Sequence, residues 1–205
     1  MKRLAFLLPL ALLLCLPQAV RAQVAPQLRL YYAPFATGSV SKSPLDPDGT
    51  HSGEGIDRAT KGAIELILWR RIGIGGTRQV VGREFTVGGS TYEETSVQYS
   101  ADLTLYVFEN RPDAFNLFIG GGQGAVERYR FKIDGVRQDT TNPSLYRNMP
   151  LTRTFGGIEY TWQRIGMRLE TSRIAASRTV EGEKASIEQS IVNLTFYIPI
   201  GGKGR

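Results

Sequence analysis

The sequence is poor in the residues that form disulfides, thiol sites and helical membrane spans. Its only cysteine, Cys15, lies in an apolar N-terminal run, so the rest of the chain has neither a disulfide nor a thiolate ligand. Its only histidine is His51, and we predict no catalytic residue, no metal site and no cofactor. Beyond the N-terminus no apolar run approaches the ~20 residues of a spanning helix. If this part of the chain crosses a membrane, it must do so with β-strands.

The N-terminus has the pattern of a secretory signal peptide. Two basic residues precede the apolar run LAFLLPLALLLCLP, and small residues follow it up to Ala22. This pattern predicts a signal peptide over residues 1–22 and an exported domain over residues 23–205. A membrane anchor is the alternative, but the run is short for one. Removal of the segment lowers the formal net charge from +6 to +3, which is too mild for a nucleic-acid-binding face, so we expect no nucleic-acid partner.

The rest of the chain alternates apolar and polar residues with a period of two. The clearest example is VQYSADLTLYVFEN, residues 97–110, and no stretch has the period of an amphipathic helix. Period-two alternation predicts β-strands, and hence an all-β fold. The eight predicted strands cover residues 27–37, 61–70, 72–86, 96–110, 114–133, 152–162, 165–177 and 186–200.

The connections between these strands alternate in length. The short ones are 70–71, 111–113 and 163–164, and the long or loop-like ones are 39–60, 87–95, 134–150 and 178–184. An even strand number with short turns at one end is typical of an eight-stranded antiparallel up-and-down transmembrane β-barrel. The apolar face of the last strand would then face lipid; it consists of Val192, Leu194, Phe196, Ile198 and Ile200.

Two stretches carry a resemblance to a known family. FIGGGQGAVERYR at residues 118–130 is a glycine-rich strand, and TFGGIEYTWQRIGMRLETSR at residues 154–173 is a hairpin with charged residues on its polar face. With the predicted signal peptide and strand count, the chain resembles the small eight-stranded outer-membrane barrels of the protein A, X and W types and the Opa-like surface proteins. The last strand resembles their C-terminal assembly signal but ends in GGKGR instead of an aromatic residue. The resemblance implies an outer-membrane location, with the barrel assembly machinery, membrane lipid and lipopolysaccharide as partners.

Charged residues recur on the polar faces of the predicted strands. An eight-stranded barrel leaves a lumen that side chains fill, so we expect a network of ion pairs in which each buried charge has a partner. A narrow charged channel is the alternative. The predicted interior network consists of Arg29, Glu65, Asp102, Arg128, Arg130, Glu159, Arg168 and Glu170.

These features predict a non-enzymatic outer-membrane barrel with a structural, surface-interaction or adhesion role. Its extracellular loops would contact an extracellular protein or another surface ligand, because lipid covers the remaining surface. A small channel for ions or apolar solutes is the first alternative, and it predicts an unpaired interior charge or a lateral opening. A secreted, soluble lipocalin-like binding barrel is the second, and it predicts a protein that stays in solution without detergent.

Overall fold

The computed structural model describes residues 25–50, 55–111, 113–138, 144–162 and 164–201. Its strands are β1 (Gln27–Lys42), β2 (Arg58–Leu68), β3 (Ile72–Val87), β4 (Ser90–Tyr106), β5 (Ala114–Ile133), β6 (Val136–Arg137), β7 (Arg147–Trp162), β8 (Ile165–Val180) and β9 (Glu183–Gly201). The two-residue strand β6 pairs only with the end of β5 among the described residues. The eight long strands pair antiparallel with their neighbours, and β1 pairs with β9 to close the ring. The predicted eight-stranded up-and-down barrel is confirmed.

Several predictions fall on residues that lie outside the described part of the chain. These are the signal peptide over residues 1–22, His51, and the last four residues of the GGKGR tail. Within the described residues, no helix is long and apolar enough to cross a membrane. The end of the barrel that holds Gln27 and Gly201 is called the terminal end, and the opposite end is called the loop end.

Two of the four connections at the loop end are tighter than the sequence predicts. Gly88 and Gly89 join β3 to β4 with φ angles of 60° and 90°, and Glu181 and Gly182 join β8 to β9 with φ angles of 52° and 87°. Positive φ at both central residues is the signature of a type I′ hairpin turn. The prediction of long loops over 87–95 and 178–184 is therefore wrong, because the strands continue almost to the turns. The connections after β1 and after β5 are the longer ones at this end.

An apolar belt surrounds the outside of the barrel near the terminal end. It includes Leu30, Tyr32, Ile64, Leu66, Ile74, Leu103, Leu105, Leu117, Ile119, Ile158, Met167, Leu169, Val192, Phe196, Ile198 and Ile200, each at least 39% exposed. Exposed Trp69, Phe108, Phe115 and Trp162 border it at the terminal end, as an aromatic girdle does in a membrane barrel. A closed apolar band of this kind is the surface that a transmembrane barrel presents to lipid. It also contradicts a soluble lipocalin-like barrel, which keeps its apolar faces inside.

Strands β1 and β2 separate locally on the side of the loop end. Their ladder ends at the pair Ala33 and Lys61, and a single bridge joins Ser39 to Gly55 further on. Pro34 starts the gap, and proline has no N–H group to donate to a ladder. Residues 34–37 and 57–60 therefore face each other across the wall without forming pairs.

Gly166 provides the space for a buried aromatic ring. It lies opposite Tyr197 in the ladder between β8 and β9, and a Cβ atom at Gly166 would come within 1.9 Å of the Tyr197 ring. The Tyr197 side chain is 1% exposed, and its hydroxyl lies 2.5 Å from Thr161 Oγ1. The ring therefore packs flat against the backbone of β8 and has little space to move.

We expect Gly166→Ala to lower the free energy of unfolding by about 1–3 kcal/mol, because the added methyl group overpacks this contact. The measurement is reversible urea unfolding of the refolded barrel. Gly62→Ala is the matched control on β2, where an added Cβ meets nothing within 4 Å. Equal effects of the two substitutions would contradict the packing described here.

Candidate functional site: a filled interior and an arginine cleft

Buried ion pairs close the interior near the terminal end. Arg29 Nη1 donates to Glu159 Oε1 at 2.8 Å, and Arg29 also donates to the side chain of Asn110. Asn110 reaches in from the connection between β4 and β5 and donates to Glu159. Arg168 lies between two carboxylates, 3.7 Å from Glu65 Oε2 and 3.7 Å from Glu159 Oε2. Each of these carboxylates therefore has a cation beside it in a region that water does not reach.

A second group of charges fills the middle of the barrel. Lys61 Nζ donates to both carboxylate oxygens of Glu170, at 2.7 and 2.8 Å. Arg153 Nη2 donates a hydrogen bond to Glu170, and Arg153 Nη1 donates one to Asp102 Oδ2 at 2.6 Å. The Thr77 hydroxyl also donates to Asp102 Oδ2 at 2.6 Å. Arg153 thus links carboxylates from two different strands and spans the lumen.

Polar and apolar side chains together fill the interior near the loop end. Arg83 lies 3.2 Å from Glu94 and 3.8 Å from Asp46, which belongs to the loop after β1. Ser43 in the same loop donates to Glu94. Around them packs an apolar cluster of Val40, Ile56, Ala59, Val81, Val126, Tyr129, Leu145, Met149, Leu151, Ile174, Ala176, Ala185, Ile187 and Ile191.

The filled interior leaves almost no free space. Cavities among these side chains measure about 20 Å³ and about 10 Å³, which is room for about one water molecule each. Each buried cation in the described part of the chain lies within 4 Å of a carboxylate. Among the described residues, these side chains therefore occupy most of the lumen.

Six of the eight residues predicted for the interior lie inside the barrel and contact one another through ion pairs or shared partners. They are Arg29, Glu65, Asp102, Glu159, Arg168 and Glu170. The prediction is wrong for Arg128 and Arg130, whose side chains lie exposed on the outer face. A β-bulge causes the difference: Val97 pairs with Arg128 and Gln98 with Val126, so Glu127 is an extra residue. One extra residue exchanges the two faces of a strand.

The sequence-based reasoning missed several interior charges. Lys61 lies on the same face of β2 as Glu65, and Arg153 lies on the same face of β7 as Glu159. Lys61 is four residues from Glu65, and Arg153 is six residues from Glu159. Because an even spacing places two residues of a strand on the same face, this spacing predicts that both cations point inward. Asn110 carries no such signal, because it enters the barrel from a turn. Among the described residues, no group of three or more His, Cys, Asp or Glu side chains could hold a metal ion.

Outside the barrel, the ends of β5, β6 and β7 form a cleft of about 550 Å³. We call it the arginine cleft, and its basic residues are Arg128, Arg130, Arg137 and Arg147. Arg128 and Arg147 lie directly opposite each other in the ladder, and like charges in that position destabilise a sheet.

Other groups complete the arginine cleft. Arg178 donates to the backbone oxygen of Arg147 at 2.6 Å, which brings a fifth guanidinium group close. Glu127 Oε1 lies 3.6 Å from Arg128 in an exposed pair, and exposed pairs are weak. The pKa of the Tyr146 hydroxyl is raised above its ordinary value of 10.0, chiefly because the hydroxyl is partly buried and secondarily because the negative charge of Glu183 is near. Tyr146 therefore stays a neutral hydrogen-bond donor at the side of the cleft.

Comparisons with known proteins support the fold. No protein-family model and no curated protein matches the chain. Neisserial surface protein A (NspA) is 6% identical with a TM-score of 0.56, covering 84% of this chain and 96% of NspA. Ail, the attachment invasion locus protein of Yersinia pestis, solved with the heparin analogue sucrose octasulfate, is 10% identical with a TM-score of 0.43, covering 83% and 98%.

A third structure is that of outer membrane protein AlkL in lipid bilayers. It is 11% identical with a TM-score of 0.46, covering 88% of this chain and 92% of AlkL. Of the three, NspA has a TM-score above 0.5, and at 6% identity that likeness is one of fold alone. The fold is that of the small outer-membrane barrels.

We expect Glu170→Leu to lower the free energy of unfolding by about 3–5 kcal/mol, because it leaves Lys61 buried without its partner. The double variant Lys61→Met/Glu170→Leu should lose less, since Arg153 keeps Asp102. The measurement is a double-mutant cycle by urea unfolding. Glu109→Gln, in an exposed pair with Arg111, is the control and should leave the unfolding midpoint unchanged. A double variant no more stable than Glu170→Leu would contradict this account.

Proposed function

We propose that this chain is a non-enzymatic outer-membrane barrel that acts through its outer surface and extracellular loops, in surface interaction or adhesion. The observation that carries the proposal is the filled interior, in which ion pairs and an apolar cluster occupy the lumen from end to end. A barrel with no path through it can contact other molecules only at its outer wall and its two ends. The ion-channel alternative is disfavoured because it needs an unpaired interior charge, whereas the described buried cations each lie beside a carboxylate.

The membrane placement belongs to the same proposal. Residues 1–22 direct export, the barrel assembly machinery inserts the domain of residues 23–205, and the loop end faces the outside of the cell. Lipid then contacts the apolar belt, including the outward-facing residues of β9, namely Val192, Leu194, Phe196, Ile198 and Ile200. The belt and its aromatic border support this placement, because lipid covers such a surface favourably.

The first test measures both closure and location. In planar bilayers, the refolded protein should give no stable conductance steps, because the interior cavities hold about one water each. In cell envelopes, it should fractionate with the outer membrane and migrate faster on gels when unboiled, as a folded barrel does. A matched sample of boiled, unfolded protein is the control. Reproducible conductance, or a soluble protein without a heat-dependent shift, would overturn the proposal.

A second candidate function is the handling of an apolar solute at the gap between β1 and β2. The gap opens onto an outer groove of about 570 Å³. Apolar residues from three strands line most of it, among them Phe35, Ala36, Leu169, Val192 and Leu194. Ala36 packs from this groove against the apolar cluster of the interior. A lateral opening is what the apolar-solute alternative predicts, and this groove is its supporting observation.

We expect Thr37→Trp to weaken binding of a fluorescent long-chain fatty acid several-fold if this second function operates. Thr37 lines the groove, so the indole would occupy the space that the acyl chain needs. Thr154→Trp adds the same side chain at an exposed, outward-facing position of β7 away from the groove. The measurement is a fluorescence titration in lipid nanodiscs. Binding that does not saturate, or that both variants change equally, would exclude the second candidate.

A further inference from the structure

The geometry points to the arginine cleft as a binding site for phosphate groups of a saccharide, and specifically for those of the glycolipid in the surrounding outer leaflet. This inference rests on the proposed outer-membrane placement and names a ligand for the outer surface. The cleft is made by Arg128, Arg130, Arg137 and Arg147.

The arginine cleft faces the outside of the barrel wall. The bulge at Glu127 turns Arg128 to the outside of the wall, the face that carries Leu117 and Ile119 lower on the same strand. Without the extra residue, Arg128 would point into the barrel. The bulge thus delivers guanidinium groups to the face that meets the membrane.

Along the wall, the arginine cleft lies above the apolar belt. On β4, the outward residues Leu105, Leu103, Tyr99 and Val97 follow one another up the belt, and Val97 pairs with Arg128. The next outward residues of β4 are Thr95 and Glu93, which are polar. Arg128 therefore lies level with the last apolar outward residue of β4, whereas on β5 and β7 the outward residues Gln123, Thr152 and Thr154 below it are already polar. The cleft thus lies above the apolar belt on the side of the loop end, where a membrane lipid carries its charged head group.

The arginine cleft concentrates positive charge. Arg128 and Arg147 face each other directly. Glu127 makes an exposed contact with Arg128 at 3.6 Å, and Glu183 lies near Tyr146 at the side of the cleft. Lys132 on the same strand differs, because Glu93 pairs with it at 2.9 Å. A phosphate between two guanidinium groups would relieve their repulsion and accept paired hydrogen bonds from each of them.

The arginine cleft also has neutral lining residues. Gln138, Tyr146 and Asn148 border the same cleft, and their amides and hydroxyl can bond to saccharide hydroxyl groups. A volume of about 550 Å³ falls within the range of about 300–1,000 Å³ that small-molecule sites occupy. Phosphate and sugar chemistry together fit this lining better than a bare inorganic ion does.

The test compares Arg128→Gln/Arg147→Gln with the wild-type full-length barrel. The probe is purified lipopolysaccharide, titrated into nanodiscs that hold the protein and read by native mass spectrometry. Each guanidinium–phosphate contact contributes a charge-assisted hydrogen bond, so we expect the variant to bind at least about tenfold more weakly, a loss of about 1.4 kcal/mol. Lipopolysaccharide stripped of its phosphates should bind the wild type as weakly as it binds the variant.

The matched control removes the same charge at the opposite end. Arg71→Gln/Arg164→Gln alters two exposed arginines in turns at the terminal end and should bind like the wild type. Because Arg128 and Arg147 repel each other, their double variant should unfold at the same or higher urea concentration. A less stable variant would mean that these arginines support the fold, and that outcome would overturn the site.

Three other outcomes would also overturn it. These are equal binding by the variant and the wild type, equal binding of phosphorylated and stripped lipopolysaccharide, and equally tight binding of the phosphorylated saccharide released from its lipid. The last outcome would identify a soluble polyanion as the ligand source. None of them bears on conductance, so a failure here is distinguishable from a failure of the proposed function.

Discussion

Buried pairs of cations and carboxylates connect the strands of this barrel across its lumen. Within the apolar belt, the apolar residues of each strand face outward, so the alternating polar residues face inward, and charges there are costly without partners. Glu170 with Lys61 and Arg153, and Glu159 with Arg29, meet that requirement by joining strands that are far apart in the sequence. The same pairs that connect these strands also fill much of the lumen.

The outer wall of the barrel departs from a regular ladder in several places. Two of these departures are the bulge at Glu127 and the gap that starts at Pro34. Each departure changes what the wall presents: the bulge exposes arginines, and the gap exposes an apolar groove. The bulge lies toward the loop end, and the groove at the gap shares Leu169 and Val192 with the apolar belt. Irregularities of this kind are common where a strand has a task besides pairing.

Much of the fold follows from short-range information in the sequence. Period-two alternation identified all eight long strands, and six of the eight predicted interior charges lie inside, because a side chain's face depends only on its position along a regular strand. The same rule could have found Lys61 and Arg153. It failed for Arg128 and Arg130, because a single inserted residue reverses the rule for everything that follows. The tight turns at Gly88–Gly89 and Glu181–Gly182 were missed since their flanking strands are polar at the loop end.

The number of long strands, their antiparallel order and the apolar face that turns outward are predictable from the sequence, since they depend on local alternation and on the length of connections. Three features emerge only in the folded barrel: which charges meet across the lumen, the contact of Asn110 with Glu159 at the terminal end, and the opposition of Arg128 and Arg147 on the outer wall. Those outcomes depend on the register between strands. Register is set by bulges and by ring closure, which involve residues far apart in the chain.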